Sequence, residues 1–299
     1  MRRYRIGEVS KMLDIPAETI RFLEQKGLIT PKKDPSNNYR SYGIKDIDEL
    51  LDYKKYRQLG FSSQETVDLV KNGNMQMLIE HLEKKRLESL ALSRYHQAKM
   101  RKLKNYQVVL SNADKMIDKY LLMNRPANYS LFTRTYSADD VQIDFAGETG
   151  GGFAALTDNY PFVEHIYCVR KEWVEQPSPA LRFQWGFTMK QQWVDTLQLE
   201  KLPNMEYFPA SSALFTIIRI PQHILFSADH LDELLCYIEQ HGYTLNGDIL
   251  GVYLGTVQES GEAYRYMEVW APVTTAEPSN GRDLRDTEET FLPLRQVFY

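Results

Sequence analysis

The sequence predicts an α+β protein assembled from three segments, and three observations carry that prediction. Between Tyr4 and Tyr42 two short helical patterns run into a basic, aromatic stretch. From Met75 to Leu122 the chain contains neither proline nor glycine. Beyond Pro126 the composition changes to β-branched and aromatic runs bounded by Gly, Pro, Asn or Ser. The expected organisation is a head over residues 1–74, a long connecting helix over 75–123 and a mixed tail over 128–299.

In the head, Ile6, Val9, Met12 and Leu13 repeat at helical spacing, Asp14-Ile15-Pro16 breaks the pattern, and Ile20, Leu23 and Leu28 carry a second apolar stripe. Two short helices meeting across a tight turn result. Proline suits a helix start, where its missing N–H would be unpaired in any case, and Glu18 suits the positive end of the helix dipole. The second helix is therefore expected from near Pro16 to near Gly27. Two further helical patterns, IKDIDELLDYKKYRQLG and SSQETVDLV, are divided by Gly60-Phe61, with Ser62 or Ser63 placed to cap the second and Glu65 close behind.

A helix-turn-helix leading into a basic wing is a DNA-binding pattern. The second helix would read major-groove edges with side chains of its N-terminal half, here Thr19, Arg21 and Phe22. Arg21 is the candidate for base or phosphate contact, the plainer alternative being an exposed solubilising arginine; Phe22 fits the core equally well. In the wing Tyr39, Arg40 and Tyr42 combine hydrogen bonding with charge, and Lys54 and Arg57 extend the positive face, positioning the protein more than specifying sequence. Lys32, Lys33 and Lys55 read as a solvated basic face. The runs I-G-E-V-S, T-I-R-F, E-Q-K-G-L-I, N-Y-R-S-Y and R-Q-L-G-F-S resemble, in order and spacing, the DNA-binding domain of the MerR family of bacterial transcription regulators, over roughly residues 4 to 70. The chain departs from that pattern at Leu23, where many members carry a second aromatic; a leucine there serves the small core.

The helix from Met75 to Leu122 has a coiled-coil seam in its second half, where Met100, Leu103, Gln107, Leu110, Asp114, Ile117 and Leu121 alternate three- and four-residue steps. Two of the seven are polar, so the seam is imperfect. Tyr106, Val109, Ala113, Met116 and Tyr120 widen the apolar stripe, as expected where a helix also touches another domain. About 70 Å of helix at 1.5 Å per residue would project beyond one small domain, which disfavours a single helix packed on its own domain. The MerR resemblance implies an antiparallel coiled coil that makes the protein a homodimer.

The tail offers five strand-like runs, YSLFTRTY, LRFQWGFTMK, ALFTIIRI, DILGVYLGTV and AYRYMEVWAPV. Between the third and fourth lies SADHLDELLCYIEQHG, helical by the spacing of Leu231, Leu234, Leu235 and Ile238, with Ser227 as cap and Gly242 as stop. The first half, residues 129 to 210, is expected to repeat this strand, helix, strand, strand order, with its helix within 157 to 170. The order of elements and the E-V-W-x-P strand resemble the GyrI-like effector-binding domain attached to multidrug-responsive MerR regulators, which implies a duplicated β-α-β-β fold.

Along the last strand Tyr264, Tyr266, Glu268 and Trp270 share one face, and Arg265, Met267, Val269 and Ala271 the other. With the tail's helix on the aliphatic face, the remaining face presents a carboxylate framed by rings, chemistry that receives a bulky lipophilic cation. The ligand-binding glutamate of the resembled domain falls on Glu268. The competing arrangement is an ion pair between Glu268 and an arginine such as Arg219 or Arg295. Phe183, Trp185 and Phe187 lie together on one face of their strand, either as the opposite wall of that pocket or as core. Tyr167, Phe226 and Tyr253 are weaker pocket candidates.

The formal charge of −4 conceals an asymmetry: residues 1–125 hold 25 Lys and Arg against 16 Asp and Glu, and residues 126–299 hold 11 against 24. A basic first part suits a polyanion and an acidic second part repels one. Two cysteines 68 positions apart provide neither a disulfide framework nor metal-ligand spacing, so Cys168 and Cys236 read as buried apolar side chains, and no cofactor or metal site is expected. With no membrane span or signal segment in view, a cytoplasmic location is expected. The resemblances imply a non-enzymatic, effector-responsive regulator that distorts double-stranded promoter DNA so that RNA polymerase engages it. The rival expectations are a hydrolase using Glu268 and Trp270, although His165, His223, His230 and His241 form no catalytic spacing, and a constitutive repressor with a non-sensing tail.

Overall fold

The computed structural model of the chain describes residues 2–35, 38–136, 141–143, 156–175, 183–199, 204–226 and 228–275. It divides into two compact units, Met1–Ser93 and Arg94–Tyr299.

The first unit opens with α1 (Ile6–Leu13) and α2 (Ala17–Gln25), joined through Asp14, whose φ of 51° places it in the left-handed region, and through Pro16 as the residue before α2. A short hairpin, β1 (Lys32–Lys33) with β2 (Arg40–Ser41), forms the wing. α3 (Ile44–Gln58) and α4 (Ser63–Asn72) complete the head. The expected cap is present: Ser62 Oγ accepts from Glu65 N at 3.2 Å while Glu65 Oε2 accepts from Ser62 N at 2.7 Å. Val9, Ile20, Leu23, Tyr42 and Leu50 are fully buried in one cluster, so Leu23 does fill the core. Each such side chain contributes roughly 1.5–3 kcal/mol by leaving water.

The long helix α5 spans Met75–Ser111, 37 residues, or roughly 55 Å at 1.5 Å per residue. It stops eleven residues short of the expected Leu122. Asn112 Nδ2 donates to Val108 O and Ser111 Oγ to Gln107 O, each at 2.8 Å, satisfying carbonyls of the last turn. One further turn, α6 (Ala113–Met116), and Asp118 at φ 58° lead into a strand, β3 (Leu121–Arg125), in which Leu121, Met123 and Arg125 alternate inward. Absence of proline and glycine permits helix but does not require it, and pairing of β3 with the strand at 211–221 supplies backbone partners that the helix would otherwise have provided.

The second unit is a ten-stranded antiparallel sheet. Its first half holds β4 (Asn128–Tyr136), β5 (Val141–Ile143), β6 (Val163–Val169), α7 (Lys171–Glu175), β7 (Phe183–Lys190) and α8 (Gln191–Leu197), followed by the short β8 (Glu206–Phe208). Its second half holds β9 (Ser211–Pro221), α9 (Asp232–Gln240), β10 (Tyr243–Leu245), β11 (Ile249–Glu259) and β12 (Glu262–Thr275). The strand order is β3-β9-β12-β11-β6-β7-β4-β5, with β10 on β12 and β8 on β4. In each half the third long strand lies between the first and the second, and the halves join where β11 pairs β6. The expected repeat is therefore visible in strand order. The helix expected within 157–170 is not: Val163–Val169 there is a central strand, as its β-branched inward residues favour. Ser227, the expected cap of α9, lies outside the described residues.

The two faces of the sheet have different covers. α9 lays Leu234 and Ile238 on Met267, Val269 and Ala271, as the sequence led us to expect. Val109, Ala113 and Met116 pack on Phe215, Tyr266 and Trp270 from the other side. Cys168 is buried, and burial pushes its thiol up. Cys236 is exposed instead, since helical spacing turns it outward when Leu234 and Ile238 face in.

Candidate functional site

In the head, α2 turns Ile20 and Leu23 into the core and leaves Arg21 exposed, with Thr19 and Phe22 half-buried beside it. Lys26 lies 5.6 Å over the Phe22 ring. Tyr39 is 72% exposed on the wing. Arg40 Nε donates to both oxygens of Glu24 on α2, at 2.7 and 2.9 Å, tying wing to helix. Arg21, Tyr39 and Arg40 are exposed, and Thr19 and Phe22 are half-buried. Of the other three expected contacts, one is buried and two also bond within the head. Tyr42 is fully buried, its hydroxyl has no hydrogen-bond partner, and burial raises its pKa. Lys54 Nζ donates to Leu13 O at 2.7 Å, capping α1, and Arg57 donates to Phe61 O across the α3–α4 turn. Tyr42 supports the head from within, while Lys54 is half-buried and Arg57 exposed at its surface.

In the sheet, Glu268 lies in β12 between Val252 of β11 and Ile217 of β9 and is 4% exposed. Trp270 Nε1 donates to Glu268 Oε2 at 3.2 Å. Around the carboxylate stand Glu164 of β6, Lys190 of β7, and Lys102 and Tyr106 of α5, bordering two voids of about 20 Å³ each, room for a water. Lys102 Nζ is ion-paired with Glu164. Burial drives Glu268 above the ordinary carboxylate range, Glu164 adds to this, and Lys190, Lys102 and the Trp270 hydrogen bond oppose it. Burial works on Glu164 the same way, but the ammonium groups of Lys102 and Lys190 hold it below the ordinary range. One proton is thus more easily kept on Glu268 than on Glu164. The arginine alternative does not hold for Arg219, which pairs with Glu259 at 3.0 Å. Arg295 lies outside the described residues.

The expected frame of rings around Glu268 is only partly formed. Trp270 is there. Tyr266 is buried, its hydroxyl within reach of carboxylates of both Asp114 (2.8 Å) and Glu259 (2.7 Å) and donating to one at a time, and Tyr264 donates to Glu262 at 2.6 Å; neither lines the Glu268 voids. Phe187 is core, packed with Leu131, Leu156 and Val163. Phe183, Trp185, Tyr167, Phe226 and Tyr253 do come together, with Phe183–Phe226 at 5.3 Å and Tyr167–Phe226 at 5.4 Å between centroids, but on the opposite face of the sheet. The register shows why: Tyr253 is paired with Met267 and Tyr167 with Gly251, which in turn pairs with Val269, so these rings follow the aliphatic face of β12.

The MerR HTH regulatory family matches residues 4–72. Over 109 residues the chain is 32% identical to the HTH-type transcriptional regulator CueR of Escherichia coli O6:H1, an alignment spanning 36% of this chain and 81% of that protein. The chain belongs to the MerR family. A further relative, the heavy metal-dependent transcription regulator 2 of Rhizobium meliloti, is 38% identical over 65 residues, 22% of this chain and 44% of that one. Among solved structures, the EcmrR–DNA complex in EcmrR-RPo aligns with 91% of this chain and 100% of that chain, at 17% identity and a TM-score of 0.35.

As a MerR-family chain the protein is a DNA-binding transcriptional regulator. No cluster of three or more His, Cys, Asp or Glu side chains placed to hold a metal occurs among the described residues, and no described helix is long and apolar enough to cross a membrane. Two structural roles in this MerR chain escaped sequence reasoning. Asp46, buried at the start of α3, accepts from Gly43 N at 2.7 Å and Thr30 N at 3.0 Å and so fixes both ends of the wing. An acidic residue in a helix's first turn was the available signal. The Lys102–Glu164 pair joins α5 to the sheet across 62 residues, and no local pattern announces it.

Proposed function

We propose that the protein acts as a homodimeric, effector-responsive regulator of promoter DNA, working with RNA polymerase, whose C-terminal sheet is a GyrI-like sensor of a small lipophilic or aromatic cation. The observation that carries this reading is Glu268, a buried carboxylate whose neutralising charge comes from lysines, one of them on the long helix, and not from a sheet arginine. A cationic ligand would substitute for Lys102 at the acidic pair and thereby loosen α5 from the sheet, which is a direct route from ligand to helix. The repeated strand order supports the GyrI-like reading. Along α5, Met100, Leu103 and Leu110 of the seam are 65, 54 and 38% exposed, while Val109 and Ala98 are buried on the sheet side. An apolar row left uncovered in one chain supports helix pairing between two copies.

Two such heads would grip successive major-groove faces, with Arg21, Thr19 and Phe22 at the groove and Tyr39 and Arg40 at the backbone. Undertwisting and bending the DNA costs a few kcal/mol. The ligand contributes only through its preference for the protein state that makes the extra phosphate contacts. The role proposed for the Glu268 site is binding and not hydrolysis. The test uses the full chain, tetraphenylphosphonium as probe and neutral triphenylphosphine oxide as control. The cation should bind and shift promoter-complex formation, Glu268→Gln should weaken it at least tenfold, and mass spectrometry should recover the probe unchanged. Equal binding of the neutral compound, or an unaffected Glu268→Gln protein, overturns the reading.

A further inference from the structure

The N-terminal strand of the head carries charge that the fold does not take up. Tyr4 bridges Tyr42 in antiparallel fashion, its N–H donating to Tyr42 O at 3.0 Å and its carbonyl accepting from Tyr42 N at 2.9 Å. Residues 3–5 are thereby laid beside β2, as a third strand next to the β1–β2 wing. Tyr4 packs against the head's core cluster, so alternation turns Arg3 and Arg5 to the outer face. The same alternation in β2 sends Arg40 toward Glu24 of α2 and Ser41 outward, and Ser41 is the register partner of Lys32. Arg3, Arg5 and Lys32 are all exposed, and none has an ion pair among the described residues. Arg3 is nonetheless held in place: its Nε donates to Ser41 Oγ at 2.9 Å and a second N–H to Ser41 O, leaving three of the five guanidinium donors open. The Arg5 side chain bonds to no described residue. The two carboxylates nearby are taken by backbone N–H groups, Glu8 by Arg5 N and the buried Asp46 by Gly43 N and Thr30 N.

We propose that Arg3, Arg5 and Lys32 form a phosphate-binding strip on the outer face of the wing, so that the N-terminal strand grips the backbone of the duplex whose groove α2 reads. Duplex DNA presents a dense row of phosphate charges, and cations without a partner in the protein bind it by releasing condensed counterions. Guanidinium suits the contact because its planar fork meets a phosphate through two parallel N–H bonds. Fixing Arg3 on Ser41 before DNA arrives removes part of the ordering cost that a free side chain meets on binding. Exposed Tyr39 follows the alternation of Ser41 and so belongs to the same face. Backbone contacts of this kind raise affinity without reading sequence, which leaves specificity to α2. This role needs only DNA binding by the head and is independent of what the sheet senses.

Fluorescence anisotropy of the full chain tests it on two labelled duplexes of about 30 base pairs, one of arbitrary sequence and one that the chain selects from a randomised pool, between about 50 and 200 mM salt. Arg5→Gln and Arg3→Gln should each weaken both duplexes alike, by roughly threefold or more at the lower salt, and make log affinity against log salt shallower by about one for each head bound. Arg3→Lys and Arg5→Lys should keep most of that slope, since lysine still meets a phosphate as a point charge. Arg86→Gln, which removes an equal charge from an exposed pair with Glu83 on α5, should leave the slope unchanged. Thermal melts identify any variant that fails to fold; if Arg3→Gln loosens the wing through Ser41, Arg5→Gln decides, because its side chain holds nothing in the head. An unchanged slope in either variant that folds overturns the proposal. So does a loss confined to the selected duplex, which would mean base reading, or an equal change in Arg86→Gln, which would mean a general charge effect. Intact DNA binding with impaired transcription by added RNA polymerase would assign the strip to the polymerase and overturn it too.

Discussion

The two faces of the C-terminal sheet use the same strands for different physical ends. The face toward α5 is closed: Glu268, Glu164, Lys102 and Lys190 are gathered there with voids of only about 20 Å³. The opposite face closes under α9 at one end and leaves an aromatic cleft of about 450 Å³ at the other. In the first, charge is desolvated and internally balanced, so it holds elements together. In the second, aromatic rings and two arginines line an open space. The placement of charge relative to the fold's own partners, and not its amount, separates a closed, internally paired cluster from an open cleft.

That contrast can be broken most directly at Lys102. Replacing it with Met leaves Glu164 buried without its closest cation, and loss of one partner of a buried pair costs about 3–5 kcal/mol. Urea denaturation should show a loss of that size, whereas Arg265→Gln on the other face should change stability by less than about 1 kcal/mol. Similar losses for both would erase the distinction between the faces. A Leu234→Ala change beneath α9 should cost roughly 2–5 kcal/mol, because the aliphatic end of the cleft face is packed core. A loss below about 1 kcal/mol would mean that α9 is only loosely seated.

A pH series sharpens the comparison further. The raised pKa of Glu268 means the folded state prefers it protonated, so its contribution is fully present below the ordinary carboxylate range and is lost as pH rises through the raised value. Glu268→Gln should therefore flatten the decline in stability above that range and should be the more stable protein there. The lowered pKa of Glu164 acts with opposite sign, its contribution being lost as pH falls. An unchanged pH profile in Glu268→Gln would sink the assignment of that proton to Glu268. The smallest effect on the sheet is expected from Arg21→Ala in the head: stability within about 0.5 kcal/mol of the parent, with promoter affinity reduced by roughly 1–3 kcal/mol.

Legibility followed the range of the interactions. The turn at Asp14, the Ser62–Glu65 cap, the core role of Leu23 and the alternation of β12 are set by residues within a few positions of each other, and each appears as expected. Tyr42 looked like a surface contact because its type suits DNA, but it is buried; Lys54 and Arg57 stay at the surface and also serve the carbonyls of Leu13 and Phe61. Phe183, Trp185 and Phe187 were offered as a wall facing Glu268 or as core; Phe187 is core, and Phe183 and Trp185 line the cleft on the other face. Period two fixes which residues of a strand share a face. It says nothing about which face of the neighbouring strand they join, and the register shifts at Phe132/Arg134 and Tyr253/Gly255 break any parity carried along by counting.

By itself, then, the sequence determined the helix-turn-helix head, the family it resembles, a long helix with an apolar row and five of the tail's strands, because propensity, capping and periodicity are properties of short stretches of chain. Tertiary structure alone decided where α5 ends, since pairing of β3 with β9 outcompeted another three turns of helix. It also decided that the carboxylates and the aromatic cleft face away from each other, because strand pairing across a hundred residues assigns faces and no local pattern encodes that choice.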